Sequence, residues 1–198
     1  GACSERREAP AKPAAAAAPI RVNLAQAVDG VAFLPMYIAR SFNFFADEGL
    51  AVNVIVTGAS GPDVAALIAG EVDFAASAPA PAFNAWHQGQ KLLGIQNIFN
   101  NTTTRIVVSN ATSKRIGFEK DWTLDRKMKA MKGMKFGVTR AGALTDSFAR
   151  SLVTMAGYTP DKEVEILGVG SGAPMTAALT EGKVDIATQF APFTEQGI

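Results

Sequence analysis

An internal repeat constrains the fold of this chain more than any other feature of its sequence. The pattern P-x-x-A-A-L-x-x-G-x-V-D-x-A occurs at residues 62–75 and again 112 positions later, at residues 174–187. Each copy describes a helix that begins with proline and ends at glycine, followed directly by a strand. A chain that encodes this unit twice is expected to fold as two similar halves.

Strand and helix patterns alternate around both copies of the repeat, and the order βαβαβ predicts a parallel sheet in each half. Strands are predicted at 20–25, 50–58, 72–77, 92–98, 104–109, 135–139, 164–169 and 184–189. Helices are predicted at about 34–49, 61–70, 80–88, 145–156 and 174–182. The fold class is therefore α/β, with two βαβαβ units joined by the strands around 92–109.

The glycine-rich segment GVGSGA, residues 168–173, fits the pattern G-x-G-x-x-A of dinucleotide-binding proteins. That motif follows the first strand of its unit, whereas this segment follows the second strand. Asp185 lies at about the distance from the motif at which such proteins have a ribose-binding acid. The repeat aligns Asp185 with Asp73, so both are interpreted as residues that close a turn before a strand. Dinucleotide binding is not expected, and the residues indicate no cofactor.

Composition excludes several classes of function. The 198 residues are 48% hydrophobic with a formal net charge of +1, which indicates a globular chain and gives no support for a nucleic-acid partner. The chain has one cysteine and one histidine, Cys3 and His87. A metal site or a nucleophile with a histidine base needs more ligands or partners than these. Neither a metal site nor enzymatic activity is expected.

Residues 1–19 are rich in alanine and proline and are predicted to be a flexible leader or tether. The opening Gly-Ala-Cys resembles the end of a bacterial lipoprotein signal, in which the cysteine becomes the lipidated N-terminus. Cys3 is therefore either a lipid anchor or a leader residue without that role.

Ligands of open parallel sheets bind beyond the carboxyl ends of the strands, where helices begin. This rule selects the loops at 26–31, 57–63, 77–81, 140–146, 170–174 and 189–192. The candidate ligand-binding residues, in or near these loops, are Asp29, Gly30, Ser77, Ala78, Asn97, Arg140, Gly142, Ala143, Thr145, Ser171, Gln189 and Phe190.

Arg140 and Thr145 flank the start of a helix, so they are the first choice for recognising a charged group. Each candidate side chain also has a purely structural interpretation. Arg140 is a solvated charge in that case, Ser77 caps a helix, and Asp29 stabilises a turn. Likewise, Asn97 fastens a hinge and Phe190 belongs to the core.

The segment FLPMYIARSFNFFADEGLAVNVIVTGASGPDVAALIAGEVDFAAS is similar to the start of substrate-binding proteins of ABC transporters, of the NMT1, sulfonate and taurine type. MKGMKFGVTRAGALTDSFAR and GKVDIATQFAPF resemble matching segments of the second lobe. The resemblance implies a two-lobed clamshell of the type II periplasmic-binding-protein class. Relatives have Ser or Thr where this chain has Ala143 and Leu144, which favours a less polar ligand. Relatives are also longer, so further C-terminal residues are expected.

The resemblance predicts a leader at 1–19, a first lobe at 20–103 and a second lobe at 104–198. It implies a periplasmic or extracytoplasmic monomer that captures a small solute and delivers it to the membrane subunits of an ABC permease. Sulfonate, taurine, a nitrate-like anion, a pyrimidine precursor and an aromatic acid are all candidate ligands. The alternatives are a pyrimidine-precursor synthesis enzyme on the same scaffold and a ligand-sensing domain.

Overall fold

The computed structural model describes residues 18–99 and 104–196. The strands are β1 (Ile20–Gln26), β2 (Leu50–Val56), β3 (Phe74–Ala76), β4 (Thr104–Val108), β5 (Lys135–Val138), β6 (Glu165–Gly168) and β7 (Ile186–Phe190). The helices are α1 (Leu34–Ser41), α2 (Phe44–Asp47), α3 (Pro62–Ile68), α4 (Pro79–His87), α5 (Asn110–Ile116), α6 (Leu124–Lys129), α7 (Leu144–Met155), α8 (Ala173–Thr180) and α9 (Phe193–Gln196). A single 3-10 turn, Val31–Phe33, precedes α1.

The described strands form two separate sheets. The first sheet is parallel and has the order β2-β1-β3. The second has the order β4-β7-β5-β6, in which β5, β6 and β7 are parallel and β4 pairs antiparallel with β7. The strand order β2-β1-β3 of the first half thus recurs as β6-β5-β7 in the second, which confirms the two βαβαβ units.

The strand pairing repeats in register as well as in order. Leu24 is opposite Phe74 in the first sheet, and Phe136 is opposite Ile186 in the second, both 112 positions further on. Leu24 and Phe136 pair in the same way with Val54 and Ile166 on their other side. The duplication in the sequence is therefore a duplication of hydrogen-bonded structure.

Asp73 and Asp185 perform the same structural task in the two halves. The Asp73 carboxylate accepts a hydrogen bond from the backbone N–H of Asn23 at 2.8 Å, and its own N–H donates to the Asn23 carbonyl. Asp185 makes the equivalent pair with Lys135, its carboxylate accepting at 2.9 Å. Each acid ties the end of a turn to the neighbouring strand, as the sequence predicted.

The best-buried apolar cluster belongs to the second half, where α7 covers the sheet. Its members are Met131, Met134, Phe136, Val138, Ala149, Val153, Val164 and Ile186. On the opposite face of the second sheet, Met175, Ala178, Val184 and Ala187 pack under α8. In the first half a cluster of Ala27, Val28, Phe33 and Ala76 lies at the carboxyl ends of the strands, and Phe190 of the second half packs against it.

One predicted element is absent and another is divided in two. Residues 92–98 form no strand: Leu93 and Ile95 are 84% and 66% exposed, and the segment has no ladder partner among the described residues. The helix predicted over 34–49 is interrupted, because Asn43 adopts a left-handed conformation with φ 60° between α1 and α2. An apolar run favours an extended conformation. To form a strand, the segment also needs an adjacent strand whose backbone N–H and C=O groups are available for hydrogen bonds.

Part of the predicted domain division falls outside the described residues. Residues 1–17, which include Cys3, lie outside the described residues, and so do residues 100–103 at the predicted boundary between the lobes. The division into a leader and two lobes at these positions stays a prediction.

Candidate functional site

The carboxyl ends of the strands of both sheets face a common cavity of about 60 Å³. The first half supplies the larger share of its lining and the second half closes it from the other side. The lining residues are Ala27, Val28, Gly30, Ala32, Phe33, Ser60, Ser77, Ala78, Phe99, Thr104, Thr139, Leu144, Thr145 and Phe190. The cavity thus lies where the strand-end rule predicts a ligand.

Gln26, at the end of β1, holds the first loop of the site in place. This side chain is fully buried, and its amide nitrogen donates to the Val28 carbonyl and to the Tyr37 hydroxyl, both at 2.8 Å. The Tyr37 hydroxyl also accepts from the N–H of Gly30 and donates to the Asp29 carboxylate at 3.1 Å. Asp29 is therefore turned towards Tyr37, and it does not line the cavity.

Ser60 and Ser77 bring two hydroxyl groups from the ends of β2 and β3 to the cavity wall. Ser60 precedes α3, whose first turn contains the fully buried Asp63. One Asp63 oxygen accepts from the N–H groups of Gly61 and Val64, both at 2.7 Å. The Ser77 hydroxyl is shielded from solvent and has no hydrogen-bond partner among the described residues.

Thr139 and Thr145 form the wall contributed by β5 and α7. Their hydroxyl oxygens are 2.7 Å apart, and the Thr145 hydroxyl also accepts the Thr139 N–H at 3.0 Å. In the first turn of α7, the buried Asp146 accepts from the N–H of Gly142 at 2.8 Å and from Arg150 at 2.9 Å. A hydrogen bond to Asp161 and the nearby Asp146 carboxylate raise the pKa of Arg150 above its ordinary value, despite partial desolvation.

Gln189, at the end of β7, holds the glycine-rich loop against the second sheet. It is 1% exposed, and its amide nitrogen donates to the Gly172 carbonyl at 3.2 Å and to the Thr176 hydroxyl at 3.3 Å. Gly172 has φ +65°, and a Cβ there would lie 2.9 Å from the Phe193 ring. Glycine is required at Gly172 by its positive φ and by the close approach of an aromatic ring.

Between the described parts of the two halves, three hydrogen bonds make direct contacts around the cavity. The Leu144 N–H at the start of α7 donates to the Ser60 hydroxyl at 3.0 Å. The Ser171 hydroxyl donates to the Gly58 carbonyl at 3.4 Å, and the Val31 N–H donates to the Ala191 carbonyl at 3.3 Å. All three contacts cross from one half to the other, so the cavity is closed by the contact between the halves.

The structure brings five of the predicted site residues to the cavity wall: Gly30, Ser77, Ala78, Thr145 and Phe190. The other predicted residues lie outside the lining: Asp29, Asn97, Arg140, Gly142, Ala143, Ser171 and Gln189. Arg140 is exposed, whereas Ala143 and Gln189 are buried in the second half. Ligand contact by any of the predicted residues stays a prediction.

Sequence reasoning missed most of the apolar part of the wall. Ser60 and Val28 lie within the selected loops, and Thr139 immediately precedes one, so the strand-end rule already pointed to them. Phe33 and Phe99 lie outside those loops. Their aromatic side chains carry no sequence signal that separates a cavity wall from an ordinary core.

The described part of the cavity wall contains no charged side chain. Among residues 18–99 and 104–196, no group of three His, Cys, Asp or Glu side chains is arranged to hold a metal ion. No helix in these same ranges has the length and apolar character needed to cross a membrane.

Several solved structures are similar to this chain in fold. A protein of Bordetella bronchiseptica RB50 is 25% identical with a TM-score of 0.69, over 89% of this chain and 52% of its own. The periplasmic nitrate-binding protein NrtA of Synechocystis PCC 6803 is 18% identical with a TM-score of 0.67, over 91% of this chain and 49% of its own. The alkanesulfonate-binding protein SsuA of Xanthomonas axonopodis pv. citri, bound to MOPS, is 18% identical with a TM-score of 0.65, over 92% of this chain and 60% of its own.

These likenesses define the class of protein: an α/β, two-lobed type II periplasmic-binding-protein fold. The sequence matches the NMT1-like family over residues 26–198, and the chain belongs to that family. It spans roughly half the length of the solved structures, between 49% and 60% for these three. No curated protein sequence matches the chain.

Proposed function

We propose that this protein is the solute-binding component of an ABC import system, which captures a small molecule between its two halves. The main support for this proposal is the cavity, which residues of both halves line at the carboxyl ends of their strands. Open parallel sheets bind ligands at that edge, and a cleft between two bodies lets the ligand stabilise the closed state.

The hydrogen bonds between the halves support closure as the binding mechanism. Each of the three uses a single donor and acceptor at the rim, such as the Leu144 N–H with the Ser60 hydroxyl. Single neutral hydrogen bonds contribute about 0.5–1.5 kcal/mol each, so contacts of this kind are readily broken. A solute that contacts both walls adds free energy to the closed form and shifts the population towards it.

The family and the fold support an extracytoplasmic location and a permease as the partner. Solved relatives of this fold include periplasmic nitrate-binding and sulphonate-binding proteins and the ligand-binding component of an ABC import system from Staphylococcus aureus. We assign the same place and partner to this protein. A lipid anchor at Cys3 would be consistent with that location, because it would hold the binding protein beside the permease.

The chemistry of the wall favours binding over reaction. Its polar groups are the hydroxyls of Ser60, Ser77, Thr104, Thr139 and Thr145, together with backbone groups. General acid or base catalysis at neutral pH needs a group that exchanges protons near that pH, which hydroxyls of serine and threonine do not.

A thermal-shift screen of small solutes tests the proposal. A solute present at 100 times its dissociation constant should stabilise the protein by about 2.7 kcal/mol. Nicotinamide nucleotides should produce no shift. If a nicotinamide nucleotide raised the unfolding midpoint and no small solute did, the proposal would be refuted.

A matched pair of substitutions locates the binding site. Ala78→Leu adds bulk to the cavity wall and is expected to abolish the solute-induced shift. Ala111→Leu makes the same change at an exposed position of α5 and should leave the shift intact. Circular dichroism and the unfolding midpoint without solute establish that both variants are folded.

A further inference from the structure

The wall of the cavity is mainly apolar and carries no charge in the part of the chain that the structure describes. Three aromatic side chains, Phe33, Phe99 and Phe190, line it together with small aliphatic residues. The polar groups of the wall are neutral hydroxyls. A buried anion without a paired cation costs several kcal/mol in lost hydration, so this wall penalises a charged ligand.

The protein's own carboxylates already occupy the starts of the helices beside the cavity. Asp146 is 6% exposed and lies in the first turn of α7, where it accepts the Gly142 N–H at 2.8 Å. Asp63 is fully buried in the first turn of α3 and accepts two backbone N–H groups. These carboxylates occupy the positions at the helix starts where an anion would accept backbone N–H bonds.

A backbone donor that an anion would use at the start of α7 is also engaged. The Leu144 N–H donates to the Ser60 hydroxyl of the other half at 3.0 Å. An anion at this place would have to displace Ser60 and approach the Asp146 carboxylate. Arg140, the nearest cation along the chain, is exposed and lies outside the wall, and the Arg150 guanidinium is already paired with Asp146 and Asp161.

The Ser77 hydroxyl becomes a directional polar group of the wall when its side chain rotates towards the cavity, because its oxygen is shielded in the present rotamer. Its hydroxyl oxygen is inaccessible to solvent and has no partner among the described residues, although the residue lines the cavity. A buried hydroxyl without a hydrogen bond is unfavourable, so a ligand group that pairs with it stabilises the complex.

We propose that the cleft selects a small uncharged solute, apolar except for one group that hydrogen-bonds Ser77, and discriminates against nitrate, sulfonates and carboxylates. This inference rests on the proposed function, since it names the ligand class for the same site. The cavity of about 60 Å³ corresponds to several water molecules at roughly 10–15 Å³ each. A solute larger than this requires the halves to part.

Matched neutral and anionic solutes test this selectivity by isothermal titration calorimetry at neutral pH. The pairs are benzamide with benzoate and methanesulfonamide with methanesulfonate, with nitrate measured alone. Benzamide is expected to bind at least tenfold more tightly than benzoate, and nitrate and methanesulfonate should give no heat of binding. Equal or tighter binding of any of the anions would overturn the inference.

The Ala78→Leu variant separates failure of this inference from failure of the proposed function. An anion that binds the wild-type protein but not Ala78→Leu refutes the neutral ligand class and leaves solute capture in the cleft standing. If no member of the panel binds, the ligand class is rejected and the thermal-shift screen decides the proposed function. If binding survives Ala78→Leu, the solute lies outside the cleft and both are rejected.

Ser77→Ala tests the hydrogen bond to the ligand. The affinity for benzamide should fall about 2- to 12-fold, the range expected for one neutral hydrogen bond. Toluene, which has the same ring without a polar group, should bind both forms equally. Ser151→Ala, on the exposed part of α7, is the control and should change neither affinity. An equal loss for benzamide and toluene would show that Ser77 acts only through packing.

Discussion

The two halves of the molecule share one pattern of strand pairing but differ strongly in burial. Phe136 in β5 is fully buried, whereas its counterpart Leu24 in β1 is only half-buried. Ile186 in β7 is 5% exposed, whereas its counterpart Phe74 in β3 is 43% exposed. The repeat therefore determines strand order and register, while the elements packed around each sheet determine how much apolar surface is buried.

The difference has identifiable structural causes. In the second half, β4 extends the sheet beyond β7, and α7 runs for 12 residues over the core cluster around Phe136. In the described first half, β3 is an edge strand of three residues, and Ile55 and Val56 of β2 remain 40% and 44% exposed. The second half is thus expected to be the more stable partner in the closed cleft.

The largest difference in the free energy of unfolding is expected between alanine substitutions at two equivalent positions, Phe136 and Leu24. Phe136→Ala should destabilise the protein by about 3–5 kcal/mol, because it empties a fully buried site. Leu24→Ala should cost less than about 2 kcal/mol, because its side chain is already half in solvent. Urea unfolding curves measure both values. An equal cost at the two positions would contradict the difference in burial.

An intermediate loss of stability is expected when the equivalent aspartates, Asp185 and Asp73, are replaced by asparagine. Asp185 accepts hydrogen bonds from the Lys135 N–H and the Thr112 hydroxyl and pairs with Arg115. Asp73 is exposed and accepts one N–H bond, that of Asn23. Hydrogen bonds to charged groups contribute about 1.5–3 kcal/mol, and partial exposure favours the lower end for Asp185→Asn. Asp73→Asn should cost less than about 1 kcal/mol.

The contribution of Asp185 is also expected to depend on pH. Burial tends to raise the pKa of Asp185, but the Lys135 N–H, the Thr112 hydroxyl and Arg115 together outweigh it and lower the pKa below its ordinary value. The folded protein therefore holds the proton less tightly than the unfolded chain does. The stabilisation is present above about pH 4 and is lost as the pH falls through the lowered pKa. The stability gap between wild type and Asp185→Asn should narrow in acid, and a gap that widened would refute this sign.

The smallest loss of free energy is expected when the hydrogen bond between Ser60 and Leu144, which joins the halves, is removed. Ser60→Ala removes the hydroxyl that accepts the Leu144 N–H and should cost about 0.5–1.5 kcal/mol of closure free energy. Small-angle X-ray scattering without solute should show a larger radius of gyration for Ser60→Ala than for wild type. Thr180→Ala, an exposed hydroxyl at the end of α8, is the matched control and should leave the radius unchanged. An unchanged radius in Ser60→Ala would remove this contact from the closure mechanism.

Much of the fold was predictable from the sequence, because local patterns and the repeat report the same elements. The proline at the start and the glycine at the end of α3 and α8 lie next to the observed helix bounds. The repeat aligns Asp73 with Asp185, and this correspondence correctly predicted that both close a turn before a strand. The predicted strand at 92–98 failed because its apolar residues say nothing about whether a neighbouring strand is available.

The site was only partly predictable. The strand-end rule selected the loops that carry Ser77 and Thr145, because it depends only on chain order and the parallel sheets. It gave no information on which side of a loop faces the cavity, so it favoured Arg140, which is exposed, and overlooked Phe33. The side-chain direction depends on contacts such as that between Gln26 and Tyr37, which join residues far apart in the pattern.

A crystal structure of the protein with a bound solute from the screen would show whether the solute is captured between the two halves. We expect the solute between the two sheets, in contact with Ser77 and Ala78 of the first half and with Thr145 and Phe190 of the second. A solute bound to one half alone, away from the carboxyl ends of the strands, would contradict it.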